Sequence, residues 1–164
     1  MENICKKGKN MKVMVVSPHP DDETLGAGGT LLRLKKEGHQ IYWLNITDAK
    51  EKDGWSASFI KQRKEQIQRV CDFFEFDDTF NLKFPPAKLE MLEKSILIQK
   101  IGSCFQTVEP EWIILPDPND AHSDHKITYE SCISCSKIFR YPYIHRITTM
   151  EILSETDFGR IDNP

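Results

Sequence analysis

Strand-like and helix-like segments alternate along the chain, and this alternation constrains the fold more than any other feature. Short apolar runs rich in β-branched and aromatic residues predict strands at residues 12–17, 40–47, 79–82, 112–115 and 147–153. Longer segments with apolar residues at helical spacing predict helices at residues 23–37, 56–74, 88–107 and 123–139. This order predicts an α/β fold, a Rossmann-like three-layer sandwich whose mostly parallel sheet is flanked by helices.

The length of the chain predicts a single domain over residues 1–164. A chain of 164 residues is the size of one ordinary domain, and neither an internal repeat nor a low-complexity linker divides it. Such a domain can bury roughly two thirds of its unfolded surface without disulfides. The final residues, 158–164, form a turn-like stretch that leaves the last predicted strand uncovered. We therefore expect that a C-terminal portion is missing.

Charge and cysteine content exclude several classes of protein. The net charge of -3 provides no basic surface for nucleic acid, and the basic start at Lys6, Lys7, Lys9 and Lys12 is too short to change this. Five irregularly spaced cysteines suit a reducing compartment, so we expect a cytoplasmic protein. Nothing approaches the roughly 20 apolar residues of a transmembrane segment. The sequence leaves open whether the chain forms a homo-oligomer.

One group of metal-binding and acid/base side chains follows the first predicted strand. His19, Asp21, Asp22 and Glu23 lie within five positions, where the strand turns into the first predicted helix. Taken alone, this group is more typical of a helix start, because an Asp can cap the first turn and acids favour the helix dipole.

A second group follows the strand at residues 112–115. It spans residues 117–125 and contains two histidines, His122 and His125, together with acids that include Asp124. Because ligands bind at the carboxyl edge of open α/β sheets, two parallel strands would bring both groups to one place there. We favour a metal site over a purely structural use, since the second group supplies the context that the first requires.

Catalytic zinc takes three His or carboxylate ligands and leaves a fourth position for water. Adjacent acids cannot easily reach one ion, so one of Asp21 and Asp22 should be a ligand while the other accepts a proton. Asp22 lies three positions after His19. Of His122 and His125, one would bind the metal while the other, oriented by Asp124, carries a proton or stabilises an oxyanion.

These motifs resemble the PIG-L/LmbE-like family of zinc-dependent N-deacetylases, over nearly the whole chain. The resemblance is carried by Pro-His-Pro-Asp-Asp-Glu at residues 18–23, glycines 26, 28 and 29, His-x-Asp-His at residues 122–125, Asn-Ile-Thr-Asp at residues 45–48, and Arg-Lys-Glu at residues 63–65. The family often has glycine where this chain has Ala49, and its members usually have a longer C-terminal part.

The resemblance implies zinc ligation by His19, Asp22 and His125, one ion per chain, with Asp21 as the general base. His122 would stabilise the oxyanion or protonate the leaving amine. Family members remove an acetyl or similar acyl group from an amino sugar, commonly N-acetylglucosamine attached to a lipid, a polyol or another sugar.

The same resemblance places Asp48 and Arg63 at the substrate side of the site. Trp55 could add stacking against a sugar ring, although packing explains an aromatic residue there equally well. A His₂Asp site also admits iron or cobalt, so the residues alone do not select zinc among divalent ions.

Two other functions stay open from the sequence. Clusters of His and Asp on a parallel sheet also build two-metal phosphoesterases, which usually need more carboxylates to bridge their ions. A non-catalytic module that binds metal or sugar without turnover is the other alternative.

Overall fold

A five-stranded sheet between two layers of helices forms the protein. The computed structural model describes residues 10–159. Its strands are β1 Lys12–Ser17, β2 Gln40–Thr47, β3 Asp78–Phe84, β4 Trp112–Pro116 and β5 Arg146–Met150, and its helices are α1 Asp22–Lys36, α2 Ala57–Phe74, α3 Lys94–Val108, α4 Ser123–Cys135 and α5 Leu153–Gly159. Short 3₁₀ turns lie at Glu51–Asp53 and Leu89–Met91.

The sheet has the order β3-β2-β1-β4-β5, and every neighbouring pair of strands is parallel. The α/β three-layer prediction is therefore confirmed. From β1 the chain continues outward to β2 and β3, and then returns to place β4 on the other side of β1. Ligand sites of open α/β sheets lie where the strand order reverses in this way, which here is between β1 and β4.

Each face of the sheet packs against its own pair of helices. On one face, α1 and α2 cover a cluster that includes Val15 and Trp43; on the other, α3 and α4 cover one that includes Val16 and Ile113. Val13 to Val16 have no exposed surface at all, because β1 lies at the centre of the sheet with both faces covered. This central position makes β1 a rigid base for the loop that follows it.

Two predicted helices have clearly different bounds in the structure. The helix predicted at residues 88–107 begins only at Lys94, because the amides of Ala87 and Leu89 donate hydrogen bonds to the buried carboxylate of Asp124. The helix predicted at residues 123–139 ends at Cys135, where the Ser136 hydroxyl donates to the carbonyl of Ile133. Tertiary and capping hydrogen bonds of this kind are invisible to periodicity.

The end of the chain also differs from the sequence prediction. The strand predicted at residues 147–153 is β5, Arg146–Met150, and it is followed by helix α5 rather than by a turn. The Ile152 amide donates to the Thr156 hydroxyl at 2.9 Å, which satisfies a backbone donor at the start of α5. Residues 160–164, and the early Cys5, Lys6, Lys7 and Lys9, lie outside the described residues.

Within residues 10–159, no helix combines the length and the apolar character needed to span a bilayer. The four cysteines in this part of the chain, Cys71, Cys104, Cys132 and Cys135, are free thiols.

Candidate metal centre

The loops after β1 and β4 meet at the carboxyl edge of the sheet. The loop after β1 is tied to the end of β2, because the carbonyl of Pro18 accepts hydrogen bonds from both the amide and the hydroxyl of Thr47. The imidazole rings of His19 and His125 lie close together, with centroids 5.3 Å apart. Side chains 106 residues apart in the chain therefore share one site.

Three potential ligand atoms converge between these loops. Nδ1 of His19 and Nε2 of His125 are 3.4 Å apart, and Oδ2 of Asp22 lies 3.7 Å from the former and 3.4 Å from the latter. Two ligands bound tetrahedrally at ~2.0–2.1 Å from zinc are themselves about 3.3 Å apart. The spacing of the three atoms therefore fits one tetrahedral ion, with the fourth position left for another ligand.

Buried carboxylates determine which nitrogen of each of these two histidines carries the proton. Oδ2 of Asp120 lies 2.8 Å from Nδ1 of His125, and Oδ2 of Asp124 lies 3.0 Å from Nε2 of His19. An ionised carboxylate only accepts hydrogen bonds, so these two nitrogens are the protonated ones. The opposite nitrogens, Nε2 of His125 and Nδ1 of His19, then present lone pairs to the common centre. Carboxylate-histidine pairs of this kind are typical partners of a bound metal.

The third ligand atom belongs to a carboxylate that is almost completely buried. The side chain of Asp22 is only 5% exposed, and its Oδ2 also accepts a 2.8 Å hydrogen bond from the amide of His19. Burial raises the pKa of Asp22 to about 6, although the nearby His125 opposes this rise. Two imidazole nitrogens and a buried carboxylate oxygen thus face one another within 3.7 Å. A divalent cation would compensate all three.

Asp21 stands beside this group but outside it. It precedes α1 at the N-cap position, yet its side chain makes no capping hydrogen bond, so the structural use considered for it from the sequence does not apply. Its carboxylate is half exposed and lies 3.4 Å from Nη2 of Arg63 on α2. The adjacent acids thus differ: Asp22 points into the ligand group, and Asp21 lines the cavity next to it.

His122 is held with its outer nitrogen available as a donor. Its Nδ1 accepts the amide hydrogen of Asp124 at 3.1 Å, which places the ring proton of the neutral form on Nε2. Burial, reinforced by the neighbouring His19, lowers the pKa of His122. The ring is therefore a neutral N–H donor near pH 7.

Asp124 contacts two histidines, one through its amide and one through its carboxylate. From the sequence, Asp124 was expected to orient whichever of His122 and His125 is not a metal ligand. Its amide donates to Nδ1 of His122, whereas its fully buried carboxylate contacts His19 and the amides of Ala87 and Leu89. Burial alone would favour its neutral form, yet these hydrogen bonds lower the pKa of Asp124. His19, His122 and Asp124 also lie close enough to form a second candidate metal group, but its shortest contact is the hydrogen bond just described.

A cavity of about 380 Å³ opens beside the ligand group. Seven of the eight residues proposed from the sequence line it: His19, Asp21, Asp22, Asp48, Arg63, His122 and His125. The eighth, Asp124, is fully buried. Trp55 and Phe59 form part of the wall; their rings are stacked at 4.6 Å and remain 39% and 37% exposed. Asp48 accepts a hydrogen bond from the side-chain amide of Asn81.

Asp120, which orients His125, was not among the site residues predicted from the sequence. Its position five residues before that histidine, in a loop after a strand, was the available signal.

The fold and the site define an α/β protein with a His₂Asp group that can hold a metal ion at the switch point of its sheet. A family model described as PIG-L, GlcNAc-PI de-N-acetylase, matches residues 14–136. The chain belongs to this family, as its resemblance to the PIG-L/LmbE-like deacetylases predicted.

Two curated proteins are similar to the chain. A Bacillus cereus protein named probable N-acetyl-alpha-D-glucosaminyl L-malate deacetylase 2 is 29% identical over 121 residues, which are 69% of this chain and 55% of that protein. Diacetylchitobiose deacetylase of Thermococcus kodakarensis is 26% identical over 124 residues, which are 70% of this chain and 45% of that protein. The chain thus spans about half the length of these relatives.

A solved structure shows the same fold. The conserved protein TT1542 from Thermus thermophilus superposes with a TM-score of 0.72 at 24% identity, over 86% of this chain and 66% of that chain.

Proposed function

We propose that this protein is a metal-dependent hydrolase that removes an N-acetyl or similar N-acyl group from an amino-sugar substrate, such as an N-acetylglucosamine derivative. One observation carries the proposal: the lone pairs of His19 and His125 converge with the carboxylate of Asp22 at the spacing of a single tetrahedral ion, beside an open cavity. Membership of the PIG-L family and the two deacetylase relatives support the choice of reaction.

Zinc suits this donor set, because two imidazoles and one carboxylate with an open fourth position form a typical catalytic zinc site. Another divalent ion could take its place. When bound, the ion supplies a Lewis acid for the amide carbonyl and makes water more acidic. His19, Asp22 and His125 would hold it, while Asp120 and Asp124 keep the two rings in the required tautomers.

Asp21 would act as the general base. It lies next to the ligand Asp22 but is half exposed to the cavity, so its carboxylate can reach a water molecule there. It would take the proton of the attacking water and return it to the amide nitrogen as the carbon-nitrogen bond breaks, which yields a free amine and a carboxylate. Arg63, at 3.4 Å, keeps the carboxylate oriented before substrate binds.

His122 would stabilise the oxyanion that develops on the acyl oxygen. The hydrogen bond from the Asp124 amide to its Nδ1 leaves Nε2–H as a donor. A preorganised donor stabilises developing negative charge without having to reorient during the reaction. The lowered pKa of His122 keeps the ring neutral, which favours this role over protonation of the leaving amine.

Other residues that line the cavity would hold the sugar. Trp55 and Phe59 offer a stacked aromatic surface, which suits the apolar face of a sugar ring, and Asp48 and Arg63 offer hydrogen bonds to hydroxyl groups.

The test combines metal content with acetate release. We expect one zinc per chain, and acetate release from N-acetylglucosamine derivatives, including diacetylchitobiose, that is lost with a chelator and restored by zinc. His125→Gln should abolish both zinc retention and activity. His145→Gln is the matched control, because His145 is an exposed histidine outside the cavity.

Other outcomes would point to the competing functions. Two ions per chain with hydrolysis of phosphate esters would indicate a phosphoesterase instead. Zinc or sugar binding without turnover of any N-acyl amino sugar would indicate a binding module.

A further inference from the structure

Helix α5 lies beyond residues 14–136, which match the family model, yet it contacts the loop that carries the metal group. The amide of Ala121 donates to the carbonyl of Glu155 at 2.9 Å. Gly159 faces the backbone of Asn119 so closely that a Cβ atom at this position would lie 1.7 Å from the Asn119 carbonyl oxygen. The loop after β4 and helix α5 are therefore fitted together without space for a side chain between them.

Asp120 links this helix to the ligand His125. The Asp120 side chain is completely buried, and each of its carboxylate oxygens has a different partner. Oδ2 lies 2.8 Å from Nδ1 of His125, and Oδ1 accepts a 2.5 Å hydrogen bond from the hydroxyl of Thr156. With both oxygens engaged, the carboxylate cannot rotate without breaking a buried hydrogen bond.

The hydroxyl of Thr156 has its single proton committed to Asp120. The same oxygen accepts the amide hydrogen of Ile152, so its hydrogen cannot point in that direction. Thr156 is only 1% exposed, and water does not reach the pair from outside. Without this hydroxyl, Oδ1 of Asp120 would be buried without a donor, which is a costly state for a carboxylate.

We propose that Thr156 is a positioning residue of the metal site, which acts through Asp120 to hold His125 in the orientation and tautomer that bind the ion. The inference rests on the metal binding in the proposed function, but it adds a residue and an element to the site. Loss of an outer partner of a metal-ligating histidine typically lowers metal affinity by about 10- to 100-fold. Thr156 contacts the partner of His125 rather than His125 itself, so we expect its loss to lower zinc affinity by about tenfold, the lower end of this range.

The competing explanation is that Thr156 only stabilises the start of α5 through its contact with Ile152. Because the same hydroxyl makes both contacts, the roles are separated by measuring zinc affinity and stability independently for two substitutions. Thr156→Val keeps the shape of the side chain and removes the hydroxyl, whereas Thr156→Ser keeps the hydroxyl and removes a methyl group. Thr128→Val is the matched control, because Thr128 is also fully buried and its hydroxyl has no hydrogen-bond partner among the described residues.

The experiment measures the zinc dissociation constant of each purified protein by competition with a chromogenic chelator. A urea unfolding curve of each metal-free protein, recorded alongside, reports any loss of stability. We expect Thr156→Val to raise the zinc dissociation constant by about tenfold, and Thr156→Ser and Thr128→Val to stay within about threefold of the parent protein.

Three results would overturn the proposal. They are an unchanged zinc affinity in Thr156→Val, whatever its stability; a zinc affinity that falls as much in Thr156→Ser as in Thr156→Val; or one that falls as much in Thr128→Val. A parent protein that binds no zinc would overturn this proposal together with the proposed function. A parent protein that binds zinc while Thr156→Val is unaffected removes the positioning role alone.

Discussion

Oδ2 of Asp124 lies 3.0 Å from Nε2 of His19, although 105 residues separate them in the chain. This contact joins the loop after β1 to the first turn of α4, and it selects the tautomer that turns the lone pair of His19 Nδ1 toward Asp22 and His125. The same carboxylate accepts the amides of Ala87 and Leu89, so the segment after β3 is anchored to it as well.

Asp124→Asn should weaken metal binding and loosen that segment. An asparagine cannot offer two accepting oxygens, so either His19 or one of the two backbone amides loses its partner. We expect zinc affinity to fall by about 10- to 100-fold, as measured by chelator competition. Hydrogen exchange at Ala87 and Leu89 should become faster. Unchanged affinity together with unchanged exchange would show that the contact orients nothing.

Asp21→Asn should separate metal binding from turnover. Asparagine keeps the size of the side chain but cannot take a proton, so we expect kcat to fall by about 10²- to 10⁴-fold. Zinc affinity should remain near that of the parent protein, because Asp21 lies outside the ligand group. Asp22→Asn, the adjacent substitution, should instead lose the metal. A near-normal rate in Asp21→Asn would remove Asp21 from the role of base.

His122 can be tested by removing and then partly restoring its donor. His122→Phe keeps a ring but has no N–H, and we expect kcat to fall by about 10²- to 10³-fold with little change in KM or zinc content. His122→Gln, which offers an amide N–H, should recover part of the rate. If the loss appeared mainly in KM, His122 would be a substrate-binding residue instead.

Trp55→Ala should affect substrate binding more than catalysis. Removal of a stacking surface worth about 1 kcal/mol should raise KM by roughly fivefold and leave kcat nearly unchanged. Phe73→Ala is the control, since Phe73 lies near the far end of α2, is 66% exposed and does not line the cavity. Equal effects of the two substitutions on KM would argue against a sugar-binding role for Trp55.

Glu23 should make the stability of the metal-free protein depend on pH. The side chain is completely buried and accepts hydrogen bonds from the hydroxyls of Ser17 and Thr24. Burial raises the pKa of Glu23 from its ordinary value of 4.5 to about 7. Because the pKa is higher in the folded state, its contribution to stability is fully present below pH 4.5 and is lost as the pH rises through 7.

Glu23→Gln imitates the protonated acid at every pH and should remove this dependence. Relative to the parent protein, the free energy of unfolding of the variant should increase by about 3 kcal/mol between roughly pH 4 and pH 8. Urea unfolding in the presence of a chelator measures the difference. Parallel stability curves for the two proteins would show that Glu23 does not titrate in this range.

The strands of the sheet, and the convergence of the loops after β1 and β4, could be predicted from the sequence. The bounds of β1 and β2 match their predictions at residues 12–17 and 40–47, because buried β-branched runs ending in Pro or Asp leave little ambiguity. Parallel strand order then brings the residues that follow β1 and β4 to the same edge.

What the sequence could not provide are contacts between residues distant in the chain. The late start of α3 depends on hydrogen bonds to Asp124, and the orientation of His125 depends on Asp120 and Thr156. Neither set of hydrogen bonds produces a periodic or spaced pattern in the sequence near α3 or His125. The contact of the Asp124 carboxylate with His19 was not predicted for the same reason, since sequence spacing indicates only contacts with near neighbours such as His122.

Different strands position two sets of the residues that line the cavity. His19 and Asp22 follow β1, and His125 follows β4. These two strands are neighbours, paired through Val13, Met14 and Val15. Trp55 lies between β2 and α2, and Phe59 and Arg63 lie on α2. Mutations in the part positioned by β2 and α2 would therefore change which substrate the proposed hydrolase accepts, while the candidate metal ligands stay in place.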